Sequence, residues 1–174
     1  TGLDWEQWDK NFREGVQLPG GHDKMLMDLT LTGPGLFGLR DFVNYALEND
    51  VKIETKNMFA FHPDVIFSFM SWPRHILDRI VNELIADLTP IITHKQQTVI
   101  NQLNQILNTP TFQEQFPDTA EDQFMNGRQW QKTIADIRND GYDNGLTIEE
   151  IYSADQELLD WYTRVDPQHN SRWR

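Results

Sequence analysis

The spacing of apolar positions changes twice between residues 23 and 63, and it predicts a strand, a helix and a second strand. Residues 25–32 are apolar or β-forming at nearly every position, which favours a strand covered on both faces. Residues 36–47 then carry apolar side chains at the i, i+3, i+4 spacing of an amphipathic helix. Residues 51–59 alternate apolar with polar positions, so one face of this second strand is expected to be wet or to line a cavity.

The connection between the two predicted strands determines their relative direction. Strands joined by one short helix lie parallel and are expected to cross over right-handedly, so the segment reads as a βαβ unit. The sequence therefore predicts an α/β fold. In this prediction residues 1–90 form a partial parallel β/α barrel segment, and residues 91–174 form a mainly α-helical C-terminal region.

Capping residues and helical spacing predict the helices outside this unit. We expect the last nine residues, 166–174, to be unstructured. In the helix that begins near Thr93, Gln96 is placed on the outer, polar face. The predicted helix starts are Asp4, Ser71 (with Trp72 and Pro73), Thr93, Thr119 and either Thr147 or Ser153.

Charge and composition narrow the classes of partner. The 174 residues carry a formal net charge of −12, which disfavours nucleic acid and anionic membrane surfaces as partners. No apolar run reaches the length that crosses a bilayer, and no basic-then-apolar signal segment begins the sequence, so we expect a soluble, cytoplasmic setting. The sequence starts at Thr1 without an initiator methionine, which leads us to expect a piece of a longer protein.

Most common catalytic and metal motifs are missing or incomplete. The chain has no cysteine, so it offers no thiolate ligand or cysteine nucleophile. Residues 140–145 resemble a calcium loop, but Tyr142 and Ile151 stand where two oxygen ligands are needed, which favours a helix-connecting turn. The histidines never fall at i, i+3 or i+4 from one another, so no helix-borne metal pair is predicted.

One positional argument does point to a site. In parallel α/β structures, ligands bind at the carboxyl ends of the strands. Here those ends are residues 30–35 and 57–63. The alternative, that these residues merely terminate the strands, stays open. The candidate groups are the side chains of Thr30, Thr32 and Asn57 and the backbone of Met58 and Phe59.

Five short motifs follow one another in the first half of the chain. They are Thr1-Gly2-Leu3-Asp4-Trp5-Glu6-Gln7-Trp8-Asp9-Lys10-Asn11-Phe12, Leu29-Thr30-Leu31-Thr32, Gly38-Leu39-Arg40-Asp41-Phe42-Val43-Asn44-Tyr45-Ala46-Leu47, Phe61-His62-Pro63 and Phe69-Met70-Ser71-Trp72-Pro73. In this order the motifs resemble the second half of a radical S-adenosylmethionine enzyme of the twitch-domain type. The resemblance spans roughly residues 1 to 85 and implies that the two predicted strands correspond to the fifth and sixth of a parallel barrel.

The resemblance implies a cofactor site to which this chain contributes only in part. Members of the family hold a 4Fe–4S cluster on three cysteines of the first strand's loop, and S-adenosylmethionine completes its coordination and yields a 5′-deoxyadenosyl radical. By motif position, Thr32, Met58 and Phe59 would contact the adenosyl group from the far wall. The three-cysteine loop and the first four strands are missing, so we expect this chain to be inactive alone.

Two further expectations follow. A sheet cut from a barrel exposes a strand edge, so we expect self-association through residues 25–32 or 51–60, or coverage of the edge by later helices. The rival hypothesis is a non-enzymatic, acidic α-helical interaction module in which residues 72–165 form a bundle and the βαβ unit is an accessory.

Overall fold

A computed structural model describes residues 4–57, 67–139 and 146–165. Within these ranges the chain forms nine α-helices, two strands and two short 3-10 turns, Pro34–Gly38 and Phe69–Ser71. In chain order the helices and strands are α1 (Trp5–Gln17), α2 (Gly21–Lys24), β1 (Leu26–Leu31), α3 (Leu39–Glu48), β2 (Lys52–Asn57), α4 (Arg74–Leu88), α5 (Gln97–Leu107), α6 (Phe112–Gln115), α7 (Ala120–Asn139), α8 (Ile148–Tyr152) and α9 (Gln156–Thr163).

The predicted βαβ unit is confirmed. β1 and β2 pair in parallel, in a register that runs from Leu26 opposite Lys52 to Leu31 opposite Asn57. α3 provides the crossover, and its apolar stripe of Leu39, Val43 and Ala46 is buried. The fold is therefore α/β, with a two-stranded parallel sheet in the described part of the chain.

The two faces of the sheet differ, and here the prediction for the first strand was wrong. Met27 and Leu31 of β1 and Ile53 of β2 are buried against the helices. Side chains of the opposite parity are exposed on the other face, where Leu26 is 48% exposed. Successive side chains of a strand point to opposite faces, so β1 is covered on one face only. The wet face predicted for the second strand is confirmed by exposed Lys52 and Lys56.

One hydrophobic core joins the sheet to the later helices. Trp72 and Phe69 are fully buried, together with Leu77 of α4 and Leu103 of α5. Apolar side chains from both sides of residue 90, as far along the chain as Tyr162, belong to this core. Burial of large apolar side chains is the main stabilising term available to such a chain, so the helices after residue 90 stabilise the sheet directly.

The segment before α5 closes the outer edge of β2, and it corrects the prediction for Gln96. The Ile53 amide donates to the Lys95 carbonyl over 3.1 Å, and the Gln96 side-chain amide donates to the Val51 carbonyl over 2.7 Å. Gln96 is only 1% exposed and does not lie on the polar face. Thr98 adds a bond from its hydroxyl to the Ile53 carbonyl over 2.6 Å.

Helix starts follow the capping rules at several of the predicted places. Asp4 caps α1 by accepting from the Gln7 amide over 3.2 Å, as predicted. Thr147, one of the two predicted alternatives, caps α8 through a capping box with Glu150. Ser153 starts no helix, because Asp155 is the N-cap of α9.

Several helix starts differ from prediction. α5 begins at Gln97 with Gln96 at its N-cap, and not near Thr93, and the short helix α2 was not predicted. Ser71 does not cap α4; Pro73 occupies that N-cap position, and the Ser71 hydroxyl donates to the Ser68 carbonyl over 2.7 Å. α6 was not predicted, although Thr111 and Glu114 form a full capping box at its start. The tail 166–174, which we expected to be unstructured, lies outside the described residues.

Candidate functional site at the carboxyl ends of the strands

Thr32 directly follows β1 and shapes the turn at its carboxyl end. Its hydroxyl oxygen accepts from the Gly35 amide over 3.1 Å, and its carbonyl accepts from the Leu36 amide over 3.2 Å. The side chain is half-buried, and its hydroxyl hydrogen has no acceptor among the residues that the structure describes. Thr32 therefore ends the strand and still offers one hydrogen-bond donor at the sheet edge.

Gly33 lies where three groups converge. Its amide donates to the Phe67 carbonyl over 2.6 Å. A methyl group at Gly33 would lie 3.1 Å from the Phe67 carbonyl oxygen, from Trp72 and from the Tyr152 hydroxyl. Contacts this short are tighter than ordinary van der Waals separations, so a side chain at this position would push the chain away from the aromatic rings.

An aromatic wall closes the core side of this edge. Trp72 and Tyr152 meet edge to face with ring centroids 5.6 Å apart, and the Trp72 indole donates to the Tyr152 hydroxyl over 3.3 Å. Burial raises the pKa of the Tyr152 hydroxyl above its ordinary value, so the group stays neutral. Phe37 packs against both rings. The wall fixes the position of Gly33 and leaves Thr32 at the rim.

The open face of the sheet carries balanced charges beside Thr30. Lys56 of β2 pairs with Asp28 of β1 over 2.7 Å, and Lys52 pairs with Glu54 along β2. Thr30 is exposed on the same face. These side chains are exposed, so this part of the face is a solvated polar surface. Exposed ion pairs of this kind contribute little to stability.

Asn57 turns away from this surface. Its amide nitrogen donates to the Gln102 carbonyl of α5 over 3.4 Å, and its buried side-chain oxygen has no hydrogen-bond partner among the described residues. Of the side chains predicted for the site, the structure thus brings Thr30 and Thr32 to one strand end and directs Asn57 towards α5. Met58 and Phe59 lie outside the described residues.

Sequence reasoning missed a buried polar cluster between α7 and α9. Arg128 packs 3.8 Å above the Tyr162 ring centre and pairs with Glu149 over 2.9 Å. The Tyr162 hydroxyl donates to the Gln131 side-chain oxygen, and burial raises the pKa of Tyr162 to about 12. The Arg128 Nε and Gln131 Nε2 groups have no hydrogen-bond partner in the described part of the chain. The signal in the sequence was the spacing of Arg128 and Gln131, which lie one turn apart on α7, on the same side of the helix as Phe124.

Two of the described histidines, His22 and His75, lie beside polar groups on other elements. His75 lies 3.1 Å from Glu157, and His22 lies 3.2 Å from the Asn49 carbonyl. Within residues 4–57, 67–139 and 146–165 no group of histidine and carboxylate side chains is arranged to hold a metal ion. The calcium-like segment 140–145 lies outside those ranges.

A small depression lies away from the strands, between α6, α7 and α9. It has a volume of about 20 Å³ and a floor that includes Phe112, Phe124 and Trp161, with Arg164 at its side. A space of this size holds about one water molecule. The depression therefore offers no room for a substrate.

The cofactors implied by the resemblance fit this chain unequally. An iron–sulfur cluster needs thiolate ligands, and the sequence contains no cysteine, so the residues present cannot hold a cluster. Thr32, by contrast, has a hydroxyl hydrogen for which the described residues offer no acceptor, and such a donor suits contact with a polar nucleoside group.

Two further findings concern membrane-spanning helices and similarity to known proteins. None of the helices in the described parts of the chain combines the length and the apolar character that crossing a bilayer requires. Comparisons with protein families, with curated proteins and with solved structures found no match to this chain.

Proposed function

We propose that this chain is the C-terminal part of a radical S-adenosylmethionine enzyme of the twitch-domain type, and that it forms the far wall of the cofactor and substrate site. The observation that carries the proposal is a parallel two-stranded sheet with helices on one face and an open, polar second face. In a parallel β/α barrel the helices cover the outside, and the other strand face lines the interior. The face bearing Asp28, Thr30 and Lys56 is the proposed inner wall.

In this proposal Thr32 is the adenosyl contact for which the described residues offer support. Its free hydroxyl hydrogen donates to the nucleoside, while the bond from Gly35 holds the side chain in one rotamer. Met58 and Phe59 are the other proposed contacts. The bound cofactor supplies the radical chemistry, and this chain orients it. The chain is inactive alone because the thiolates for the cluster come from another part of the parent protein.

The reading frame upstream of Thr1 provides the cheapest test. The proposal expects a Cys-x-x-x-Cys-x-x-Cys loop roughly 100 residues before Thr1, because three thiolates must hold the cluster. A start codon close to Thr1, with no such loop, would refute the proposal.

The parent enzyme provides the test of Thr32. We expect Thr32→Val to raise the KM for S-adenosylmethionine several-fold in an anaerobic assay of 5′-deoxyadenosine formation, because the donor is lost and the side-chain volume is kept. Thr163→Val, an exposed threonine on α9, is the matched control and should leave KM unchanged. Equal KM values for the two variants would remove Thr32 from the site.

The second candidate is a non-enzymatic, acidic α-helical interaction module. Two observations favour it: the 20 Å³ depression is too small for a substrate, and the helices share one core with the sheet. Under either candidate we propose a cytoplasmic protein that self-associates through an exposed strand edge and does not bind nucleic acid, since its net charge is −12. The upstream reading frame discriminates between the two candidates.

A further inference from the structure

The two outer edges of the sheet are not equivalent. Along β2, the Ile53 amide is bonded to the Lys95 carbonyl, and the Val51 and Ile53 carbonyls accept from the side chains of Gln96 and Thr98. A strand that approached this edge would have to displace those bonds. The β2 edge is therefore closed to a further strand.

The β1 edge is open with respect to residues 4–57, 67–139 and 146–165. The backbone amide of Ile53 points away from β1, so the backbone amide and carbonyl of the next residue, Glu54, point towards β1. Because Glu54 lies opposite Asp28, it bonds to the backbone groups of Met27 and Leu29, which therefore point towards β2. The amides and carbonyls of the alternate residues, Leu26, Asp28 and Thr30, point outward. No hydrogen bond to these groups occurs within the described residues.

The usual protections of an edge strand are missing from β1. Natural edges are blocked by proline, by lysine or by an inward-pointing charge. β1 has the sequence LMDLTL, without lysine or proline. Its one charge, Asp28, is paired with Lys56 over 2.7 Å. Leu26 adds an exposed apolar side chain at the start of the edge.

We propose that this edge binds a second copy of the chain by antiparallel pairing of the two β1 strands. A row of outward amides and carbonyls is complementary to an extended backbone, and an identical edge supplies one. Because the β2 edge is closed, pairing of like edges is two-fold symmetric and stops at a dimer with a four-stranded sheet. The inference deepens the self-association proposed above and concerns this chain alone, because in the parent enzyme of the proposed function the fourth strand of the barrel would occupy the β1 edge. A chain that stays monomeric would therefore refute the dimer without refuting the assignment to an enzyme.

Charge selects the register of this dimer. If the strands paired about Asp28, the two Asp28 carboxylates would face each other, and like charges directly opposite are destabilising. A shift of two residues sets Asp28 opposite Thr30 of the other copy, whose hydroxyl can donate to the carboxylate. The structure therefore favours the shifted register.

Size and charge set the expected affinity. An edge of six residues buries less surface than a standard interface, so we expect a weak dimer whose population depends on the protein concentration. Each copy carries a net charge of −12, so the copies repel at low salt. Screening shortens that repulsion, and added salt should therefore tighten the dimer several-fold.

Sedimentation equilibrium from about 5 to about 500 µM tests the proposal. The mass should rise from 20.5 kDa towards twice that value, and more steeply in high salt. Thr30→Pro removes an outward amide at a place where edge strands tolerate proline, and it should keep the chain monomeric with unchanged circular dichroism. Glu54→Gln, on the same face but away from the edge, should dimerise like the parent chain.

Hydrogen exchange of the parent chain gives a readout that does not depend on a variant's folding. The Asp28 and Thr30 amides should exchange more slowly as the concentration rises, while the Ile53 amide does not change. A monomer at every concentration and salt, or a dimer that leaves the Asp28 and Thr30 amides unprotected, would overturn the proposal. A tenfold tighter dimer for Asp28→Asn would overturn the shifted register.

Discussion

Gln96→Met tests how the later helices hold the sheet. Gln96 is 1% exposed, and its side-chain amide donates to the Val51 carbonyl over 2.7 Å. Its side-chain oxygen accepts from the Thr93 amide over 3.2 Å and from the Thr93 hydroxyl over 2.8 Å. Methionine keeps nearly the same length and volume and removes all three bonds.

The structure gives the size of the effect. Val51 is fully buried, so its carbonyl cannot turn to water when Gln96 is lost. A buried polar group left without a partner costs about 1–3 kcal/mol. Thr93 is exposed and is rehydrated, so it adds little. We expect a loss of about 2–3 kcal/mol in the free energy of unfolding, which lowers the Tm by roughly 4–12 °C for a chain of this size.

Urea denaturation followed by circular dichroism measures this change. The matched control is Gln97→Met, because Gln97 is the next residue, is exposed and makes no side-chain hydrogen bond in the described part of the chain. Surface substitutions of this kind stay within about 0.5 kcal/mol of the parent. If Gln96→Met is as stable as Gln97→Met, the Gln96 bonds do not hold the β2 edge and the reasoning fails.

Two more predictions concern stability. Gly33→Ala should lower the free energy of unfolding by about 1–2 kcal/mol in the same assay, because the added methyl group meets three groups at 3.1 Å. The control is Gly38→Ala, where the methyl group meets nothing within 4 Å and should not destabilise the chain. Equal free energies of unfolding for the two variants would contradict the packing at Gly33. A hydrogen bond from Arg74 lowers the pKa of Glu114 from its ordinary 4.5 to about 2. The ionised Glu114 therefore stabilises the folded chain fully above pH 4.5, and this contribution is lost as the pH falls towards 2. Acid titration of the free energy of unfolding should show that the excess stability of the parent chain over Glu114→Gln shrinks across this window; a constant difference would contradict the pKa shift.

The βαβ unit could be predicted from sequence because its signals are local. The change of period at residues 33–36 marks the end of β1, the change at 49–51 marks the end of α3, and a short crossover requires parallel strands. We predicted wrongly that both faces of β1 are covered. Buried and exposed positions do alternate along the strand, but Leu26 and the two threonines made the exposed positions look apolar or β-forming. Asp28 was the residue that indicated this alternation, since a single carboxylate in a strand is typical of a solvent-exposed face.

Gln96 and the buried cluster around Arg128 could not be predicted in the same way. Helical spacing assigns polar residues to the outside, but it does not show that the first turn of α5 abuts the edge of a strand whose carbonyl needs a donor. The capping box of α6, by contrast, was present in the sequence as Thr111 followed three residues later by Glu114.

The candidate site was predictable only in part. Strand order alone places Thr30 and Thr32 at a carboxyl end, and the structure agrees. The direction of Asn57 towards α5 depends on tertiary packing, because its partner, the Gln102 carbonyl, is distant in sequence.

Hydrogen exchange at single amides, in a solution dilute enough to keep the chain monomeric, tests the strand pair on which both proposals depend. We predict alternating protection along β1, slow at Met27, Leu29 and Leu31 and fast at Asp28 and Thr30, together with slow exchange at both Ile53 and Glu54. Uniform protection along β1, or fast exchange at Glu54, would contradict a parallel pair that is open at one edge and closed at the other.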